Sequence, residues 1–204
     1  QGYGDTIQFV RFLPELKKLG ATTILIVEKP LEKLFQCMKD VHQIQVNDKT
    51  STRADYRVSL MSLPHLLRIT KHTIPNVVPY LHLAAGKKSK MQISTDLKVG
   101  IVWSGNLRHR HGWAQNRSIA FNDLEVLFST HGVSWYSLQF ETPDPSLLNK
   151  MQKLGVKDMS NYISNFSDTA EILLELDLVI TIDSAVAHLA GALGIPVWVM
   201  LPFV

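Results

Sequence analysis

Near the carboxyl end, the stretch TIDSAVAHLAGALGIPVWVM (181–200) sets His188 in a helix of small and apolar residues, just after an acid, Asp183, that ends a strand. Its periodicity predicts a strand at 178–182, a turn at Asp183 and Ser184, a helix to about Leu193, Gly194 as the stop, and a further strand. On the helical wheel Val186, Leu189 and Leu193 share one face. His188 falls on the opposite face with Ser184, Gly191 and Ala192, a narrow face that can be approached closely. A helix that follows the carboxyl end of a strand leaves the N–H groups of its first turn (Ser184, Ala185, Val186) aimed at the crevice where open parallel sheets bind ligands. Those donors and the positive helix end suit a phosphate, to which His188 can add a hydrogen bond. The alternative is a core histidine whose ring nitrogens find backbone or water partners.

Two more stretches carry groups fit for chemistry. In GYGDT, Gly2 and Gly4 let the backbone turn tightly and come near another group, and Asp5 then sits at the start of the first helix. Asp5 reads as an N-cap, or as a carboxylate at the crevice edge that accepts a proton from a hydroxyl; one residue can do both. In SGNLRHRHGWAQNRSI (104–119), directly after a strand end, Arg108, Arg110 and Arg117 share a loop with His109, His111 and Trp113. The loop is either a solvated basic segment or the source of cations for a diphosphate, with Arg117, beside the strand-like SIAF, the preferred ligand. His109 and His111 have no carboxylate or thiolate at ligand spacing, so a metal is not expected there.

The elements that must position these groups alternate along the chain. A helix over 5–19 places Phe9, Phe12, Leu13, Leu16 and Leu19 on one side and Gln8, Arg11, Glu15 and Lys18 on the other; Pro14 should bend it and Gly20 close it. There follow a strand at 22–27, a helix at 30–38, short strands near 42–46 and 56–60, and a helical piece around 62–69. The polar, basic AAGKKSKMQISTD (84–96) reads as a linker. Beyond it come the strand LKVGIVWSG, a polar loop, a helix at 122–128, the strand VSWYSLQ, a helix at 169–175, and the segment that holds His188. Strand alternating with helix is the signature of a parallel sheet, so the expected class is α/β with two units of similar size.

Composition narrows the options. Over 204 residues, 46% hydrophobic and 19% charged is an ordinary globular balance, expected of a soluble protein. No apolar run approaches the roughly 20 residues that cross a bilayer. A lone cysteine, Cys37, excludes an intrachain disulfide and a multi-thiolate metal site, and fits a reducing cytoplasm. A net charge of +3 is too small to suggest a nucleic-acid partner. The chain opens at Gln1 on a turn and stops at Val204 just after a strand, which reads as a piece cut from something longer. No G-x-G-x-x-G, P-loop or G-x-S-x-G motif occurs, which argues against a standard dinucleotide site, a P-loop nucleotide site and a hydrolase elbow. No D-x-D pair is present to hold a divalent ion on a diphosphate, so the protein itself must neutralise whatever anion binds.

Taken together, QGYGDTIQFVRFLP, VGIVWSGN with NRSI, and DLVITIDSAVAHLAGALGIPVWVMLPFV resemble glycosyltransferase family 9, the family of the ADP-heptose:lipopolysaccharide heptosyltransferases. The likeness is in particular to the version at the carboxyl end of bacterial tetratricopeptide-repeat proteins. It implies a GT-B architecture of two Rossmann-like domains: an acceptor-side domain at 1–84 lacking its first strand, a linker at 85–96, and a nucleotide-sugar domain at 97–204 lacking its carboxyl tail. Carried over by position, the family's catalytic base falls on Asp5, its donor-phosphate loop on Asp183, Ser184, Ala185 and His188, and its basic residue after the W-x-G strand on Arg117. Gly4, Asn106, Arg108 and Arg110 are further candidates. Phe140 stands where relatives often carry a lysine, so Arg108 or Arg110 would supply that phosphate contact.

The resemblance implies an inverting, metal-independent glycosyltransferase. It would move a sugar from a nucleoside-diphosphate donor, ADP-heptose-like, to a hydroxyl of a glycan, lipopolysaccharide or protein. No cofactor and no nucleic acid are expected. The implied setting is the bacterial cytoplasm, with peripheral contact at the inner face of the inner membrane as an option and tetratricopeptide repeats in the parent chain. The main alternative is a non-catalytic glycosyltransferase-like binding module; an oxidoreductase on a Rossmann unit is weakened by the missing glycine fingerprint.

Overall fold

A computed structural model of the chain describes residues 2–48, 52–83, 95–105, 117–141 and 143–202. The chain begins with helix α1 (Tyr3–Phe9), tightens into a 3-10 turn at Val10–Phe12, and resumes as α2 (Leu13–Lys18). The expected single bent helix is therefore two short ones, starting two residues earlier. Pro14 is the reason for the break: lacking an N–H, it is tolerated in the first turn of α2 but not in a helix interior.

Strand β1 (Ile24–Val27) pairs in parallel with β2 (Gln43–Val46) through a crossover containing α3 (Glu32–Phe35). The strand expected at 56–60 does not form. Tyr56 is 93% exposed and Val58 46%, so the alternation that suggested it buries no face, and the chain turns at Leu60–Ser62 into helix α4 (Leu63–Leu66). Of the expected linker, residues 85–94 lie outside the described residues.

The second sheet holds β3 (Leu97–Val102), β4 (Val133–Ser137), β5 (Val156–Asp158), β6 (Leu178–Ile182) and β7 (Val197–Met200), in the order β5-β4-β3-β6-β7 with every pair parallel. Chain order runs outward from β3 in both directions, so the topological switch point lies between β3 and β6, where such sheets open a crevice at their carboxyl ends. The connecting helices are α5 (Glu125–Phe128), α6 (Pro145–Lys153), α7 (Phe166–Leu173) and α8 (Ala185–Leu193). Asn165 sets the start of α7, earlier than expected, because its side chain accepts the amides of Ser167 and Asp168.

Burial explains the layering. On one side of the second sheet, Tyr136 and Val179 meet Ile172 and Leu173 of α7 and Leu189 and Leu193 of α8, and the same apolar cluster continues through Ile7 of α1, Leu25 and Val27 of β1, and Leu34 and Phe35 of α3. On the other side, Trp103, Phe121, Phe128 and Trp135 form a chain of ring contacts with centroids 5.0–5.3 Å apart, closed by Met151 of α6. Each such buried side chain contributes roughly 1.5–3 kcal/mol relative to exposure. The two sheets are thus joined by a continuous core. No helix among the described residues is long and apolar enough to cross a membrane.

Candidate functional site

The tip of α8 forms where β6 leaves the buried sheet. Ser184, in extended backbone, is the N-cap: its Oγ accepts the Val186 amide at 3.2 Å and lies 3.0 Å from Thr181 Oγ1, while its carbonyl accepts the Ala187 amide at 3.1 Å. Of the two residues expected in the turn, Ser184 is the one that caps the helix. Of the three first-turn amides expected to be bare, that of Val186 is satisfied within the turn. Those of Ser184 and Ala185 have no acceptor among the described residues. At its far end α8 stops at Gly194 in the left-handed conformation, φ 77°, as the sequence leads one to expect.

Helix α1 lies on the small-residue face of α8. A Cβ at Gly4 would stand 2.7 Å from His188 Cδ2 and 3.4 Å from both His188 Nε2 and the Cα of Ala185, so only glycine permits this approach. Further along, the Tyr80 hydroxyl donates to the Ile7 carbonyl at 3.2 Å, and the Tyr80 and Leu81 amides donate to the Ala192 carbonyl at 3.0 and 3.2 Å. Gly4 therefore meets the start of α8, while Ile7 is tied to its end through Tyr80. The two helices run side by side in the same direction, with their positive ends together. Burial raises the Tyr80 hydroxyl above its ordinary pKa of 10.0, an effect partly offset by Arg11, whose guanidinium sits 4.6 Å over the ring.

Asp5 is the third residue of α1 and not its cap. Gly2 holds that position, and Asp5 Oδ2 reaches back to accept the Gly2 amide at 3.0 Å. Because α1 starts at Tyr3, the acid falls in the first turn, where the helix dipole favours it. Asp5 is half-buried, one residue beyond the Gly4–His188 contact, and its Oδ1 has no partner among the described residues.

Arg117 stands across the switch point from its expected partner surface. Its Nη1 donates to both the carbonyl and the Oδ2 of Asp183, each at 3.1 Å, with the two side chains 41% and 47% exposed. The structure thus brings Arg117, Asp183, Ser184, Ala185 and His188 to one end of α8, and brings Gly4 against it. Asn106, Arg108 and Arg110, together with His109, His111 and Trp113, lie outside the described residues.

Two contributors are missing from the sequence reading. Gln139, just beyond β4, bonds Trp103 and Ser104 at the end of β3; Tyr80 ties α1 to α8. Neither belongs to a motif, and each works across at least 35 residues of chain. Phe140, the residue after Gln139, is 64% exposed. Among the described residues no three His, Cys, Asp or Glu side chains converge as a metal-ligand set.

No family model matches the chain. It is 24% identical over 229 residues to Protein FlbA of Caulobacter vibrioides, an alignment covering 98% of this chain and 38% of that protein, so the chain spans well under half the length of this curated relative. Among solved structures it is similar to the crystal structure of the glycosyl transferase family 9 from Veillonella parvula DSM 2008, with a TM-score of 0.67 and 13% identity over 99% of this chain and 79% of that one. At that identity the likeness is one of fold. The chain has the mixed α/β, parallel-sheet fold of that family 9 structure, a GT-B-like fold.

Proposed function

We propose that this chain forms the donor-side site of an inverting, metal-independent glycosyltransferase that uses a nucleoside-diphosphate sugar, ADP-heptose-like. The observation that carries this reading is the meeting of α1 and α8 with amino ends together, at the switch point of a parallel sheet, beside an arginine. Two positive helix ends, the amides of Ser184 and Ala185, which have no acceptor among the described residues, His188 and Arg117 form a cradle suited to a diphosphate.

In the proposed step Asp5 takes the proton from the acceptor hydroxyl as that oxygen attacks the anomeric carbon. The bond from that carbon to the phosphate oxygen breaks, and the nucleoside diphosphate departs with the electron pair. Charge growing on the leaving group is met by donors already aimed at it, which is where such sites lower a barrier most. Asp5 enters through Oδ1, since Oδ2 is held by the Gly2 amide. Because α1 shares its buried core with α7 and α8, the base and the phosphate cradle are seated on one continuous core. The acceptor is a hydroxyl of a glycan, lipopolysaccharide or protein. Asn106, Arg108 and Arg110 are kept as further candidate donor ligands, and tetratricopeptide repeats and a cytoplasmic membrane face would supply the acceptor's context.

The test is a thermal-shift panel of nucleoside diphosphates and their sugars, followed by turnover with the donor that protects. Protection together with released nucleoside diphosphate supports the enzyme. Protection without turnover under any acceptor leaves a binding module, and no protection by any diphosphate removes the reading.

A further inference from the structure

We propose that Gln139 is a positioning residue for anion binding: its carboxamide fixes the root of the loop after β3, so that Arg117, at the far end of that loop, reaches the tip of α8. The proposal rests on the reading of Arg117 as a phosphate ligand.

The backbone ladder between β3 and β4 ends where the Leu138 amide donates to the Ile101 carbonyl at 3.0 Å. The next bonds are made by a side chain. Gln139 Oε1 accepts the amides of Trp103 and Ser104 at 3.1 and 3.3 Å, and Gln139 Nε2 donates to the Ser104 carbonyl at 3.3 Å and the Ser104 Oγ at 2.6 Å. One carboxamide thus uses both of its ends on two residues at the crevice mouth, where the amides would otherwise lack strand partners. The returning end of the loop is pinned to the same place: the Ile119 amide donates to the Trp103 carbonyl at 2.8 Å, and the Gly105 amide to Ser118 Oγ at 3.4 Å.

Arg117 is the next residue back from that pin, and its guanidinium lies on Asp183. A chain of contacts therefore runs from Gln139 through Trp103 and Ile119 to Arg117. A long, half-exposed arginine makes a well-directed contact only if its backbone is fixed, and Gln139 anchors the strand end to which that backbone is pinned.

The experiment uses inorganic pyrophosphate as the probe, with calorimetric affinity and amide hydrogen exchange measured on the wild type, Gln139→Met, Arg117→Ala and the double variant. Methionine keeps the length and volume of glutamine and removes all four bonds. We expect faster exchange in Gln139→Met over 103–105 and 117–119 with 178–182 unchanged, about tenfold weaker pyrophosphate binding, and less than about twofold further loss when Arg117 is already alanine. Should Gln139→Met fail to fold, Ser104→Ala, which deletes the 2.6 Å partner alone, should show the same pattern at about threefold.

Unchanged exchange at the loop root, or equal weakening with and without Arg117, overturns the positioning role while leaving the diphosphate site intact. A wild-type chain that takes up no pyrophosphate removes the diphosphate site, and the anion-binding role of Gln139 with it.

Discussion

Gly4 of α1 and His188 of α8 are in contact: a single methyl group added at Gly4 would fall 2.7 Å from the histidine ring. The residue expected to hold a phosphate is therefore also the residue against which the segment carrying Asp5 is seated. Gly4→Ala should destabilise the chain by about 1–3 kcal/mol, since the ring must leave its place or the helices must part. With His188→Ala in the same chain the added methyl has room, so the cost of Gly4→Ala should nearly vanish. Denaturant unfolding of the two single variants and the double variant checks this; an equal cost in both backgrounds would mean the ring is not what confines position 4.

The contrast between α8 and its surroundings shows what could be read from sequence. The strand, the turn and the helix from 178 to 194 were legible because each is specified locally, by an apolar run, a serine that caps and a glycine that stops. Helix α6 carries equally local signals, the Asp144 cap, Pro145 in its first turn and Leu147, Met151 and Leu154 at helical spacing, yet is absent from the sequence expectations; the three-residue β5 is too short to show a period. At 56–60 the alternation was present, but residues 56–59 are all exposed, so it marks no buried face. The pairs that assemble the site, Arg117 with Asp183 and Gln139 with Ser104, are separated by 66 and 35 residues and exist only because the switch point brings those strand ends together.

Tyr80 gives a pH-dependent test of how α1 is held on α8. Tyr80→Phe keeps the ring under Arg11 and removes the bond to the Ile7 carbonyl, which should cost about 0.5–1.5 kcal/mol near neutral pH. Because the folded state raises the hydroxyl's pKa, the neutral form is favoured on folding; that contribution is complete below the ordinary value of 10.0 and is lost as pH rises through the folded value. The stability gap between wild type and Tyr80→Phe should therefore narrow above about pH 10. Urea unfolding of both proteins from pH 8 to 11 checks it, and a gap that is flat or widens would show that Tyr80 does not titrate as its burial requires.

The Arg117–Asp183 pair separates stability from binding. Both side chains are nearly half exposed, so solvent screens the pair, and Asp183→Asn should change stability by less than about 1 kcal/mol. The asparagine leaves Arg117 its bond to the backbone carbonyl of the same residue while removing a negative charge from the cradle. Pyrophosphate affinity should rise by about threefold or more in Asp183→Asn and fall by about tenfold in Arg117→Ala, both effects shrinking as salt is raised. Calorimetric titrations at low and high ionic strength decide; weaker binding in Asp183→Asn would make the carboxylate a holder of the arginine and not its competitor.

Asp5→Asn tests the chemical step with little disturbance of the fold. Asparagine can still present an oxygen to the Gly2 amide, the bond by which Asp5 closes the first turn of α1, so the seating of Gly4 against His188 should survive. What it cannot do is accept a proton from an attacking hydroxyl, a loss expected to slow turnover by about 100-fold to 10,000-fold. Donor affinity should stay within about twofold, because the Ser184 and Ala185 amides, His188 and Arg117, which are assigned to the diphosphate, lie outside α1 and are left in place. Turnover and donor titration on the same preparation give both numbers. Equal loss of both would move Asp5 from the base to the binding surface; unchanged turnover would leave it as the residue that closes the first turn of α1, and the proton would have to go elsewhere.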